Sequence, residues 1–542
     1  MLQLGLPFFT PNLQSKNFSH IKCSATPKSD PKIHQYYKKN IWAPEFVQSL
    51  KSEFKEEAYC TIIEKFKNEV RGRFDDDVDN DKAAHFSDKL ELIDALERLG
   101  LAYHFEDEIE EALSSSLNIN HSTLLVSNSL HSTSLYFRLL REHGHAVPTD
   151  VFNGFKDGKG RFKAEFCDDA KGMLSLYEAS HLCFEGEEDM MHEVKAFTVN
   201  NLKLLNRNIG SMFIDEAPHA LELPLHWRMP RLENRWYIDE CLRKRKIDTS
   251  LLEFAELDFN MVQATHQKDL TRMSRWWEDL GISKVLSFTR DRLVECFLWS
   301  IGLTYEPQYN CCREWLTKVV NLIVVIDDIY DMYGSIDELE LFTNTVERWS
   351  IDQAIEKLPD YMKISFLALY NTTNEMVYAS MKENGCNNIL PHLNKAWADF
   401  CKAMLVEAKW SKNGCSPSLE EYMTNAWISS STPLVLTHAF FATKQGITNH
   451  SLEGLFDKEL GLIRQSSIIF RLCNDLATST AELERGDVPS AVQCYMNKTK
   501  LLEHEAKANI RGLVMDTWGK HIAFINMEMG LEYRTLWPRT GS

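Results

Sequence analysis

From about residue 40 onward, apolar residues recur at i, i+3, i+4 and i+7 along most of the chain. The segment from Ser87 to Leu101 (SDKLELIDALERLGL) is representative. That spacing predicts amphipathic helix, one stripe facing a core and the rest facing water. Alternating apolar and polar runs and hairpin dipeptides are nearly absent, so strands are not expected. The pattern predicts an all-α fold of many medium helices joined by short loops. A boundary is expected near residues 243–250, where Arg243-Lys244-Arg245-Lys246 leads into Asp248-Thr249-Ser250. Thr249 or Ser250 is expected to cap the helix that follows. The four basic residues imitate a nuclear signal, but a short run in an acidic protein reads as a solvated linker.

One segment breaks the amphipathic pattern. Residues 318–334 read KVVNLIVVIDDIYDMYG, and Val319 to Ile326 is apolar except for Asn321. Such a run marks a buried segment, and it stops abruptly at Asp327, Asp328 and Asp331. Asp327 and Asp331 are i, i+4 and share one face of a helix. Buried carboxylates are costly unless protonated, paired or holding a metal. Two oxygen ligands on one helical face suit a hydrated Mg²⁺ whose remaining shell is phosphate and water.

A second polar stripe lies in the segment Arg471 to Glu482 (RLCNDLATSTAE). Asn474, Thr478 and Glu482 are i, i+4 and i+8, and each step drifts only about 40° around a helix. Amide, hydroxyl and carboxylate oxygens are hard ligands suited to Mg²⁺ or Mn²⁺ rather than zinc. Alone, such a stripe reads as a solvated helix face; paired with the aspartate-rich segment, it reads as the second wall of a diphosphate trap. Arg471 precedes Asn474 by three and Arg485 follows Glu482 by three, both available to phosphate. Upstream, Arg290-Asp291-Arg292 offers forked donors for a leaving diphosphate, or a surface ion pair. Trp299, seven residues past Arg292, either packs in a core or stabilises a cation with its π face. Asp77, Asp79 and Asp81 resemble a calcium loop, but Lys82 and Asp88 stand where Gly and Glu are required.

Composition narrows the partners. At 542 residues the chain is long enough for two or three domains, and 44% apolar content marks it as globular. A net charge of −18 argues against nucleic acid or an anionic membrane as the main partner. It leaves an anionic substrate open, because bound metal inverts the local field. No apolar stretch approaches about 18 residues, so no membrane span is expected. The 13 scattered cysteines carry no zinc spacing and read as reduced thiols in an intracellular compartment. Residues 1–29 contain no acidic residue, three lysines and many hydroxyls. This composition suits an organellar transit peptide, with Ile21 to Ala25 resembling a plastid processing site.

Asp327-Asp328-Ile329-Tyr330-Asp331, the stripe from Asn474 to Glu482, and Arg290-Asp291-Arg292 resemble the three signature motifs of plant terpene synthases, in order and at appropriate separations. Supporting stretches include Leu174 to Leu182, Leu225 to Arg228, Arg231 to Trp236, Arg275-Trp276-Trp277 and Arg485 to Met496. The likeness covers roughly residues 35 to 518. It implies a class I, ionisation-initiated enzyme with a non-catalytic helical domain over 35–245 and a metal-binding catalytic domain over 250–542. It also implies three Mg²⁺ held by Asp327, Asp331, Asn474, Thr478 and Glu482, with Mn²⁺ as an alternative and Asp328 in support. Arg290, Arg292 and Arg471 would grip the diphosphate of a small prenyl substrate, and the chain would act as a monomer in the plastid stroma. Ser429-Ser430-Ser431-Thr432-Pro433 is expected to break a helix near the reacting cation.

Departures refine the product. Cyclising members carry a tandem arginine pair where this chain has Lys32 and Ile33. The chain is most similar to the clade making acyclic products, which implies geranyl diphosphate as substrate and linalool as product. Geraniol, myrcene and ocimene remain open, as does farnesyl diphosphate to nerolidol. A chain-elongating prenyltransferase would want a second aspartate-rich motif where this chain has Asn474, Thr478 and Glu482. His521 to Ser542 departs from the family's lid loop and last helix. Lid closure excludes water, so this tail predicts weak turnover or an inert homologue.

Overall fold

The computed structural model describes residues 40–54, 56–75, 82–117, 129–184, 186–208, 215–244, 248–384, 388–443, 449–485 and 490–528. The side chains of Glu482 and Arg485 lie outside the described set, as do Asp76–Asp81, Arg245, Lys246 and residues 1–39 and 529–542. The described chain is predominantly helical; among its residues the only β pairing is an isolated bridge between Lys156 and Phe162. No described helix is long and apolar enough to cross a membrane.

The helices gather around separate cores. One core draws on residues from Ile63 to Ala255. Its central helix, Leu130–Glu142, buries even Arg138 and Arg141. Each is matched inside the core, Arg138 by Asp94 and Glu142, and Arg141 by Glu187 and the carbonyls of Val147 and Leu182. A second core draws on residues from Leu270 to Phe441 and also on Val47, because helix Pro44–Ser49 crosses to pack against helix Thr249–Leu280. A third gathers Tyr422, Leu472, Val492 and Ile510. Helix Thr249–Leu280 spans the first two cores, with Phe254 in one and Met273 and Trp277 in the other.

The end of that long helix corrects one expectation. Its cap is Asp248, whose carboxylate accepts the Ser250 N–H at 2.8 Å; neither Thr249 nor Ser250 caps it. Aspartate is the stronger acceptor and stands one residue earlier. Of the basic run, Arg243 pairs with Asp215 and Glu240, and Lys244 with Glu216 and Glu240. The helix break also forms. Helix Leu419–Ser429 stops, Ser431 adopts φ 67°, and helix Thr432–Thr443 begins. At the other end of the described chain, helix Glu503–Glu528 lays Trp518 against His226 and Trp227 of the first core's side.

Candidate active site

Helix Asn310–Asp328 carries the apolar run through the second core, with every residue from Trp315 to Ile326 buried. Each such aliphatic side chain contributes about 1.5–3 kcal/mol by leaving water. Asn321 is tolerated there because its Nδ2 donates to the Thr317 carbonyl at 2.7 Å. At Ile329 the helix does not simply continue. It widens into a π turn over Ile329–Tyr333, closed by the Gly334 N–H to the Ile329 carbonyl at 2.8 Å. Asp327 therefore lies in the last turn of an α-helix while Asp331 sits in a π turn, a device common at functional sites. Gly334 keeps this turn uncrowded: a Cβ there would stand 2.6 Å from Leu339 Cδ2 and 3.1 Å from the Ile329 carbonyl.

The loop before helix Leu293–Leu303 folds over this acidic end. The Arg290 N–H donates to Asp328 Oδ2 at 2.7 Å, and its Nε lies 2.7 Å from Asp328 Oδ1. Its Nη2 reaches Asp327. Trp277 Nε1 donates to Asp291 Oδ1 at 3.1 Å, and Phe288 stacks on Tyr333 at 4.0 Å. Arg290 is thus a half-buried partner of two motif aspartates rather than a surface ion pair. Arg292 instead donates to the Asp291 carbonyl at 2.9 Å.

Asp328 is buried, which pushes its carboxyl up to about 7 against the pull of the Arg290 guanidinium. Asp331 is open to solvent yet ringed by protein. Enclosure first, then the charges of Asp327 and Glu407, push its carboxyl well above the usual range. Such a crowd of carboxylates wants a cation.

Glu407 is a residue that sequence reasoning missed. It comes from helix Leu390–Lys412 and is buried. Ser429 Oγ donates to it, and Asn425 Nδ2 lies 3.4 Å away. Burial pushes its carboxyl up and Arg471 pulls it down, while Asp475 and Asp327 also act on it. It therefore stands between the two motifs. Its signal was available: Phe400, Met404 and Glu407 form one buried stripe, with a charge where an apolar residue is expected.

The second motif lies on helix Asn449–Arg485. Asn474 Oδ1 is buried and has no hydrogen-bond partner. Thr478 is buried, and its hydroxyl donates to the Asn474 carbonyl at 2.8 Å, leaving lone pairs to accept a metal. Arg471 Nη1 stands 3.4 Å from Asp475 Oδ1. Trp299 lies outside the described cores and meets Phe470, next to Arg471, edge-on at 5.0 Å. Among the described residues, no three carboxylates, imidazoles or thiols alone are placed to hold a metal. The candidate set therefore leans on amide and hydroxyl oxygens as well. An orphaned amide oxygen, a hydroxyl and crowded carboxylates fit a hard divalent cation.

An all-α bundle that faces such oxygens and arginines toward one another has the equipment of an enzyme that handles a diphosphate through divalent metal. Residues 278–520 match the terpene synthase family, metal binding domain, and residues 41–221 match the terpene synthase N-terminal domain. The chain is 49% identical over 486 residues to a (−)-alpha-terpineol synthase of Vitis vinifera, covering 89% of this chain and 81% of that one. It is 46% identical over 505 residues to a chloroplastic geraniol synthase of Cinnamomum tenuipile, covering 92% and 82%. Among solved structures it resembles isoprene synthase from grey poplar, in complex with three Mg²⁺ ions and dimethylallyl-S-thiolodiphosphate. That match has a TM-score of 0.82 at 43% identity and covers 92% of this chain and 94% of that one. The chain belongs to the terpene synthase family, lyases that act on prenyl diphosphates.

Proposed function

We propose that this protein is a Mg²⁺-dependent monoterpene synthase that ionises geranyl diphosphate to an acyclic product, linalool foremost. The observation that carries the reading is the buried, unpartnered Asn474 Oδ1, an oxygen whose burial is costly unless a ligand arrives. Asp327, Asp331, Asn474, Thr478 and Glu482 would hold the cations, Mg²⁺ first and Mn²⁺ as an alternative. Bound metal supplies Lewis-acid neutralisation of the leaving diphosphate. Arg290, Arg292 and Arg471 share that charge, Asp328 orients Arg290, and Trp299 with Phe470 offers π faces to the allylic cation.

Lys32 and Ile33, in place of a tandem arginine pair, support an acyclic outcome. Water capture of the cation gives an alcohol, and two of the relatives are named for alcohols. Farnesyl diphosphate would give nerolidol by the same route. The leader composition of residues 1–29 and the chloroplastic relative support a plastid address. We also take the domains to divide at 245–250 and the chain to work as a monomer.

Gas chromatography of products from protein lacking residues 1–29, given geranyl or farnesyl diphosphate with Mg²⁺, tests this. Linalool is expected to dominate from geranyl diphosphate. A cyclic major product would overturn the acyclic reading, and no volatile product from either substrate would favour an inert homologue. Asp327→Ala is expected to abolish turnover, whereas Asp77→Ala changes nothing; undiminished turnover in Asp327→Ala removes the metal assignment.

A further inference from the structure

Asp475 stands inside the second motif but apart from its oxygen stripe. It follows Asn474 by one residue, which turns it about 100° around the helix. Its side chain is fully enclosed, at 0% exposure. Oδ2 accepts the Tyr422 hydroxyl at 2.8 Å and the Ala491 N–H at 2.7 Å. Ala491 opens helix Ala491–Thr499, so the carboxylate also sits where that helix presents its free N–H groups. With Oδ2 occupied by two donors, Oδ1 is left to Arg471 Nη1 at 3.4 Å. The same Nη1 lies 3.5 Å from the Tyr422 oxygen.

The first motif has the same layout. Asp328 follows Asp327 by one residue, is buried, and takes Arg290 through Nε and the backbone N–H. In each wall a candidate metal ligand is followed by an enclosed aspartate that holds an arginine facing the site.

We infer that Asp475, with Tyr422 behind it, is a positioning residue for Arg471, fixing that guanidinium where it meets the departing diphosphate. The inference rests on the proposed role of Arg471 as a diphosphate ligand. Asp475→Asn shows why charge matters beyond shape. The amide oxygen would take the Tyr422 and Ala491 donors, leaving its NH₂ against the Arg471 guanidinium, donor facing donor.

The test titrates inorganic diphosphate calorimetrically into the full chain at saturating Mg²⁺, and separately titrates Mg²⁺ alone. Asp475→Asn and Arg471→Gln are each expected to weaken diphosphate binding about tenfold, and the double variant no further, because both remove one interaction. Mg²⁺ affinity should stay within about twofold in Asp475→Asn but fall at least tenfold in Asn474→Ala. Tyr422→Phe keeps the carboxylate and is expected to weaken diphosphate about threefold, again not additively with Arg471→Gln; it serves if Asp475→Asn does not fold. A folded Asp475→Asn that binds diphosphate like the wild type, or losses that add in full to those of Arg471→Gln, would overturn the inference and leave the role of Arg471 standing. Unchanged binding in Arg471→Gln would overturn both.

Discussion

Arg290 occupies Asp327 in this structure, and a cation bound by Asp327 must compete with it. The perturbation is Arg290→Gln. The two side chains are 12% and 23% exposed, a partly buried pair. At an effective dielectric near 20, unit charges about 4 Å apart attract by about 4 kcal/mol, most of it offset by desolvation. A net of about 1.4 kcal/mol is a reasonable remainder, and removing it should tighten Mg²⁺ binding about tenfold when no diphosphate is present. The same substitution should weaken inorganic diphosphate, because the released guanidinium is what the anion receives. Mg²⁺ and diphosphate binding should then help each other less, since linkage makes any coupling reciprocal. Calorimetric titration of Mg²⁺ into wild type and variant, with and without diphosphate, measures each quantity. Equal or weaker Mg²⁺ binding by a variant that melts with the wild type would refute the competition.

Two stability predictions follow from the cores beneath the site. His438 is fully enclosed; its Nδ1 donates to the Leu434 carbonyl at 2.8 Å, and burial pulls the imidazole down to about 4. The unfolded chain takes up that proton below about 6.5 and the folded chain only near 4, so stability is present above 6.5 and is lost as pH falls toward 4. Between pH 7 and 5.5 denaturant unfolding should show His438→Gln losing about 1 kcal/mol less than the wild type; identical losses would refute it. Gly334→Ala forces a methyl onto Leu339 Cδ2 and within 3.1 Å of the Ile329 carbonyl, and should cost about 1–3 kcal/mol. A melting temperature equal to wild type would show that the π turn yields freely.

The all-α fold was legible because amphipathic period and apolar run length are local properties. The segment Val319–Ile326 is buried as its composition requires, and the break at Ser429–Pro433 forms where proline denies a backbone donor. What lay beyond reach was set by neighbours distant in sequence. Nothing local says that Ile329–Tyr333 should widen to a π turn. That geometry answers to Phe288 stacking on Tyr333, and to Lys412 Nζ reaching the Gly334 carbonyl across 78 residues. Likewise, helix Pro44–Ser49 packs against the second core, although its place in the chain assigns it to the first.

The site divides along the same line. Ligand candidates announce themselves by spacing, so Asp327 with Asp331, and Asn474 with Thr478, were readable as stripes. The residues that hold the arginines do not. Asp328 and Asp475 each stand one position off the stripe; the family likeness implied a supporting role for Asp328, but spacing alone assigns neither a partner. Only the fold shows that each faces inward onto a guanidinium: Arg290 for one, Arg471 for the other. Glu407 joins them from a third helix, inside a stripe that otherwise reads as core. Periodicity thus reports which oxygens can converge, while burial decides which carboxylates are spent on keeping positive charge in place. An enzyme that must grip a diphosphate only as it leaves needs both sets. Asp328 and Asp475, locked to arginines, carry no free charge to repel the anion; Asp331 stands open to solvent, and Asp327 is shared with Arg290.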